Sequence, residues 1–225
     1  MPNRLCLLFD SDGTLVDSEI LLAEVMAEVL TSFGLPFSAR QYMDEFRGVR
    51  FLTIVRELET RFGTLGETQL AAMEAAMRER MATRMQNELL AIDGMPSALE
   101  ALAAHPKAVV SNGPEAKIRC AMQSTALARH FDNNLFSAYT LGVWKPDPAL
   151  YLKAAEAMGY PPERCVVIDD ASVGVEAGLA AGMQVVHLNH FADQESTPAG
   201  AHAIHHAREL PVLIAKLAAR LPQPI

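Results

Sequence analysis

Two aspartates one residue apart, Asp10 and Asp12, close the apolar run LCLLF and are followed at once by Gly13 and Thr14. Carboxylates so placed can attack an electrophile, carry a proton or hold a hard cation. A second acidic pair, Asp169 and Asp170, closes the apolar run CVVI. Four carboxylates gathered together repel one another, so they either take up protons or bind a cation through oxygen. Magnesium suits such a set, because it accepts one or two carboxylates, keeps waters and shares its shell with substrate phosphate. A third polar cluster, Ser111-Asn112-Gly113, follows the apolar stretch AVV. The Ser111 hydroxyl and the backbone N–H groups of Asn112 and Gly113 can cradle phosphate oxygens in a turn that leads toward a helix N-terminus. Lys145, in WKPDP, adds a point charge for a phosphoryl group. Taken singly, these residues have plainer readings as helix-capping acids, a turn serine and a surface lysine before Pro146.

The elements that must position them are written in the hydrophobic pattern. Residues 5–9 and 108–111, a stretch near 135–138, and residues 165–169 and 184–188 read as short buried strands, with a last short strand after the loop 196–200. Helical patterns begin near 115, at Pro148, after Asp170 and near 209. Strands interleaved with helices predict an α/β fold with a doubly wound parallel sheet. Between the first strand and the second the pattern changes. Leu22, Val25, Met26, Val29, Leu30 and Phe33 keep helical spacing before a stop at Gly34, and Ser38 with Gln41 reads as a capping box for a second helix. Phe51, Ile54, Val55, Leu58 and Phe62 mark a third helix, and Leu70, Met73, Met77, Met81 and Met85 a fourth. The spacing therefore predicts an all-helical domain over 17–88 inserted into a sheet domain formed by 1–16 and 89–225. In open parallel sheets ligands bind at the carboxyl ends of the strands, where the strand order reverses. All three polar clusters end strands, so they are expected to meet at one edge.

Composition narrows the function classes. The chain has 225 residues, enough for a sizeable core, and a net charge of −8, which leaves no broad basic surface for a nucleic-acid backbone or an anionic membrane. An anionic substrate must then be met locally, by a metal ion, a lysine or backbone donors. The apolar run near the N-terminus is far shorter than a signal-peptide core or a membrane span, so a cytoplasmic protein is expected, monomeric by default. Cys6, Cys120 and Cys165 are widely spaced and odd in number, without a C-x-x-C pair. They are read as reduced, Cys6 and Cys165 within buried strands. His202, His205 and His206 lack acidic or cysteine company and are read as surface or packed histidines, and Trp144 is expected to pack at the base of the lysine loop.

FDSDGT, VVSNG, the lysine of WKPDP and VIDDASVG, in this order, resemble the four motifs of the haloacid dehalogenase superfamily over essentially the whole chain. The helical insertion after the first motif is similar to the helical-cap branch that includes beta-phosphoglucomutase and many sugar phosphatases. The resemblance implies a Rossmann-like core with a helical cap and a magnesium-dependent phosphatase. Its substrate would be a small phosphorylated metabolite, a sugar phosphate or a sugar-acid phosphate such as 6-phosphogluconate. Asp10 would be the nucleophile and Asp12 the acid and base, with Lys145 and Mg2+ holding the phosphoryl oxygens. Asp10, Asp169 and Asp170 would supply carboxylate ligands, and Asp12 its backbone carbonyl. The cap would close over the site, and Arg47, Gly48 and Arg50, in a loop between cap helices, would contact the organic part of the substrate. Asp12 disfavours the dehalogenase and phosphonatase branches. A phosphosugar mutase of the beta-phosphoglucomutase type has a histidine where Leu22 stands here, and a non-catalytic binding protein of this fold would have lost one of the motif residues.

Overall fold

The protein is described from a computed structural model covering residues 4–46, 49 and 51–220. The chain divides into two compact units, one formed by Met1–Asp17 with Leu90–Ile225 and the other by Ser18–Leu89.

The first unit is built on six strands: β1 (Cys6–Phe9), β2 (Lys107–Ser111), β3 (Leu135–Ser137), β4 (Cys165–Asp169), β5 (Gln184–Leu188) and β6 (His202–Ile204). Their order in the sheet is β3-β2-β1-β4-β5-β6, and every neighbouring pair is parallel. The chain thus builds outward from β1 in one direction and then returns to β1 to build in the other. The order reverses between β1 and β4, where Phe9 pairs with Ile168 and each strand runs directly into its aspartates. Both strands are buried along their whole length, which explains continuous apolar runs in place of alternation.

Six helices accompany the sheet: α5 (Met95–Ala101), α6 (Glu115–Ser124), α7 (Ala138–Leu141), α8 (Ala149–Met158), α9 (Ser172–Ala180) and α10 (Leu210–Ala219). On one face Cys6, Leu8, Val110 and Val167 pack with Leu150, Tyr151 and Ala154 of α8 and Val175 of α9. Each large side chain so buried contributes roughly 1.5–3 kcal/mol relative to exposure. Phe9 of β1, one residue from Leu8 and hence on the opposite face, meets Phe131, which follows the 3-10 turn Leu127–His130, edge-on at 5.9 Å. Cys6 and Cys165 are adjacent in register, buried and unbridged.

The second unit holds α1 (Ser18–Ser32), α2 (Ala39–Gln41), α3 (Phe51–Phe62) and α4 (Glu67–Glu88). Val25, Met26, Val29 and Leu30 of α1, Ile54, Val55 and Leu58 of α3, and Met73 and Met77 of α4 form its core. On the flank, Arg84 of α4 bonds Glu24 and Glu28 of α1.

Several local expectations changed. Ser38 Oγ accepts the Gln41 N–H at 3.1 Å, but the helix it caps widens within one turn into a π-helical segment, Tyr42–Phe46, which places both Tyr42 and Phe46 in the core. β3 ends at Ser137, because the Ser137 hydroxyl accepts the Tyr139 N–H and starts α7 at Ala138. α5 was not anticipated, although Met95, Ala98, Leu99 and Leu102 keep helical spacing and are buried. Trp144 is not packed beneath the lysine loop: it is 45 % exposed and stands edge-on to Tyr139.

Candidate active site

The end of β1 turns sharply over Ser11–Val16, tied by Leu15 N–H to the Ser11 carbonyl and Gly13 N–H to the Val16 carbonyl. Gly13 is required there twice over. Its φ is +81°, and a Cβ at this position would stand 2.1 Å from Asp170 Oδ2. The turn sends Asp10 and Asp12 to different surroundings.

Asp10 is nearly buried and accepts a bond from Lys145 Nζ at 2.5 Å. Burial pushes its carboxyl up to about 7 against the pull of Lys145, with the Asp169 charge pushing the same way as burial. Lys145 Nζ also bonds Asp169 Oδ2 at 2.8 Å and lies 5.0 Å from the centre of the Tyr151 ring. Burial works against its charge, yet Asp10 and Asp169 hold the ammonium well above the ordinary lysine range. The Lys145 backbone is braced in turn, its N–H given to Asn112 Oδ1 at 2.8 Å. The Lys145-Pro146 peptide is cis.

Asp169 is fully engaged: Oδ2 accepts from Lys145 and from the Tyr151 hydroxyl, at 2.7 Å, and Oδ1 accepts the Ala171 N–H at 2.9 Å. Burial and then the Asp169 charge push the Tyr151 hydroxyl well above the ordinary tyrosine range. The carboxylate sits against α9 so closely that a Cβ on Gly174 would fall 1.7 Å from Asp169 Oδ2. Asp170 accepts the Thr14 hydroxyl at 2.7 Å through Oδ1, and its carbonyl meets His187 Nε2 at 3.0 Å. Burial, then the charges of Asp169 and Asp10, push its carboxyl well above the usual range.

Among the described residues, Asp10, Asp169 and Asp170 form a group able to hold a metal ion, with one oxygen of each within 4.8 Å of the others. An all-oxygen donor set of three carboxylates gathered at one strand edge, where like charges repel, fits a hard divalent cation. Asp12 stands apart from that group. It is about one third exposed and pairs with Lys117 Nζ of α6 at 2.7 Å.

Of the anticipated phosphate-binding residues, Ser111 is buried at the end of β2, and Gly113 gives its N–H to Ser111 Oγ at 3.0 Å. Ser137 Oγ donates to the Gly113 carbonyl at 2.7 Å, which anchors this turn to β3. Arg47, Gly48 and Arg50 lie outside the described residues. His202, His205 and His206 bond Gln184, the Asn189 carbonyl and Asp93; His206 thus has the acidic partner that the sequence did not suggest, because Asp93 is distant in sequence, and among the described residues the three form no metal-holding group. Sequence reasoning missed four participants: Thr14, Lys117, Tyr151 and His187. Thr14 stood inside the first motif and Lys117 in the first turn after the second. Tyr151 and His187 carried no signal beyond helical and strand spacing.

Comparison with known proteins identifies the family. A family model for haloacid dehalogenase-like hydrolases matches residues 5–182. The chain is 36 % identical over 191 residues to 6-phosphogluconate phosphatase of Escherichia coli K12, covering 84 % of each chain. It is 30 % identical over 192 residues to hexitol phosphatase A of the same organism, covering 83 % of each. A HAD family hydrolase from Deinococcus radiodurans R1, solved with bound phosphate and sodium, superposes with a TM-score of 0.79 at 28 % identity over 100 % of both chains. The chain belongs to the haloacid dehalogenase-like hydrolases and is a phosphatase of that family.

Proposed function

We propose that this phosphatase hydrolyses a phosphorylated carbohydrate, a sugar-acid phosphate such as 6-phosphogluconate, through a phosphoaspartate on Asp10. The observation that carries the mechanism is the separation of two carboxylates of one turn: Asp10 buried and paired with Lys145, Asp12 partly exposed and paired with Lys117. Carboxylates held in unlike surroundings can take unlike roles. Lys145 engages Oδ1 of Asp10, which leaves Oδ2 to attack phosphorus. The ester P–O bond breaks, and Asp12 gives its proton to the departing alkoxide. Asp12 then takes a proton from water, the water oxygen attacks phosphorus, and the bond to Asp10 breaks to release phosphate and restore the carboxylate. Asp10, Asp169 and Asp170 would hold Mg2+, which supplies charge neutralisation for the phosphoryl oxygens. Asp170 is the better placed of the last two, since Asp169 already answers Lys145, Tyr151 and Ala171. Ser111 and the Asn112-Gly113 turn border the phosphoryl group, and Arg47 and Arg50 are assigned to the substrate's acid and hydroxyl groups.

The substrate class is supported by the similarity to 6-phosphogluconate phosphatase and hexitol phosphatase A. The test is a panel of sugar phosphates and sugar-acid phosphates ranked by kcat/KM, with magnesium and with chelator. Sugar-acid phosphates are expected to rank first, chelator to abolish turnover, and Asp10→Asn to lower kcat by about 10⁴-fold or more. A flat ranking would remove the sugar-acid assignment, and turnover surviving in Asp10→Asn would remove the covalent route.

A further inference from the structure

At the opposite edge of the sheet from the aspartates, the amino ends of β1 and β2 border an open cavity of about 340 Å³. Tyr160 lines it, and its acidic, basic and imidazole side chains are those of Arg4, His105, Lys107, Arg129, His130 and Asp132. Lys107 begins β2 and Ser111 ends it, so the cavity stands about 13 Å from the catalytic edge along that strand. Five of these six side chains are cationic or can become so, in a protein whose net charge is −8.

Among the residues that line the cavity, Asp132, whose charge acts on Lys107, is the acidic side chain that stands against Arg4, Lys107 and Arg129. Lys107 is buried, and its ammonium donates to two backbone carbonyls, of Leu102 at 2.8 Å and His105 at 2.9 Å, while no carboxylate lies within ion-pairing distance among the described residues. Arg4 Nε is buried and has no hydrogen-bond partner there. A buried donor left unpaired is destabilising by about 1–3 kcal/mol, so its persistence asks for an occupant. Arg129 reaches Glu100 at 3.2 Å on the outer side and gives its Nε–H to His130 Nε2. The titration of these groups points the same way. Burial first, then neighbouring cations, hold His105 and His130 below the ordinary histidine range, and burial holds Lys107 below the usual lysine range.

We infer that this cavity is a second anion site, separate from the catalytic centre, which takes the phosphate group of a small molecule between Arg4, Lys107 and Arg129. The donors are those that match phosphate geometry, two guanidinium groups and an ammonium. The volume falls within the range of small-ligand sites, about 300–1,000 Å³, and exceeds what a bare ion needs. Free phosphate and a phosphorylated metabolite share this chemistry, and the experiment separates them.

The binding measurement uses the metal-free protein and compares two proteins that differ only in the cavity, so that any binding at the catalytic centre is common to both. Inorganic phosphate and 6-phosphogluconate are titrated by calorimetry at constant ionic strength, against wild type and an Arg4→Gln/Arg129→Gln variant. One equivalent of saturable binding is expected in wild type, at least tenfold weaker in the variant, with the variant's kcat/KM at saturating magnesium unchanged as proof of its fold. Tighter binding of the organic phosphate identifies a metabolite site, and equal or tighter binding of the ion identifies a phosphate site. Absence of saturable binding by either, or equal binding by the variant, overturns the inference.

Discussion

In the proposed mechanism the leaving group takes its proton from Asp12, and Asp12 is paired with Lys117. The lysine lies on α6, more than a hundred residues away in sequence, and meets the carboxylate at 2.7 Å. Lys117→Met is therefore expected to lower kcat about tenfold, a fraction of the 10²–10⁴-fold that a general acid supplies. The loss is expected to be larger for a sugar phosphate than for an aryl phosphate, because an aryl oxide leaves without help from an acid. In an Asp12→Ala background the same substitution is expected to change nothing further. Steady-state kinetics of the four proteins on both substrates check this, and additive losses would show Lys117 acting elsewhere. Asp10, Asp12, Lys145, Asp169 and Asp170 were all legible as residues in the sequence. Their pairings were not, because Lys145 answers Asp10 and Asp169 only after three loops have been brought to one edge.

At the scale of elements, the site depends on how closely helix α9 approaches the end of β4. Gly174 leaves room for the Asp169 carboxylate where any side chain would intrude, at 1.7 Å from Oδ2. Gly174→Ala is expected to push Asp169 away from Lys145 and Tyr151, lowering kcat/KM by about 10²-fold. Overpacking of this kind is also expected to lower unfolding free energy by about 1–3 kcal/mol. Kinetics together with urea unfolding check it, and a fully active Gly174→Ala protein would show that α9 can shift. In the helical unit, Ser38→Ala removes the bond to Gln41 N–H and is expected to lower stability by about 1 kcal/mol, read by the same urea titration. The strands and long helices followed from hydrophobic period, since burial on both faces or on one stripe writes itself directly into residue type. The π-helical turn and α7 did not, because each is set by a single contact or cap rather than by a repeating pattern.

For the molecule as a whole, the cationic cavity predicts a pH dependence of stability. His105 faces Arg4 and Lys107, with the Leu5 backbone against its ring, and His130 faces Arg129, Lys107 and Glu100. Both imidazoles titrate below their free value of 6.5 in the folded chain. As pH falls below 6.5 the unfolded chain binds these protons first, so the stability they permit is complete above that pH and lost as pH falls through their folded values. The histidines' share, read as the wild-type thermal midpoint minus that of a His105→Gln/His130→Gln variant, is expected to shrink between about pH 7.5 and pH 5.5, while the raised carboxyls of Asp10 and Asp170 act in the opposite sense in both proteins alike. Differential scanning calorimetry of the two proteins decides it, and parallel curves would exclude the histidines as the source.

The sequence by itself determined the reaction class, because motif spacing at strand ends reports which carboxylates, hydroxyl and lysine are present and in what order. It also determined the alternation of strands and helices and the helical insertion between the first two strands. Only the folded chain shows that Asp12 pairs with Lys117, that Asp169 answers Lys145 and Tyr151 while Asp170 answers Thr14, and that Arg4 and Lys107 share a cavity with Arg129. Each of these is a contact between residues distant in sequence, created when parallel strands place their ends side by side, and no local pattern of residues encodes it.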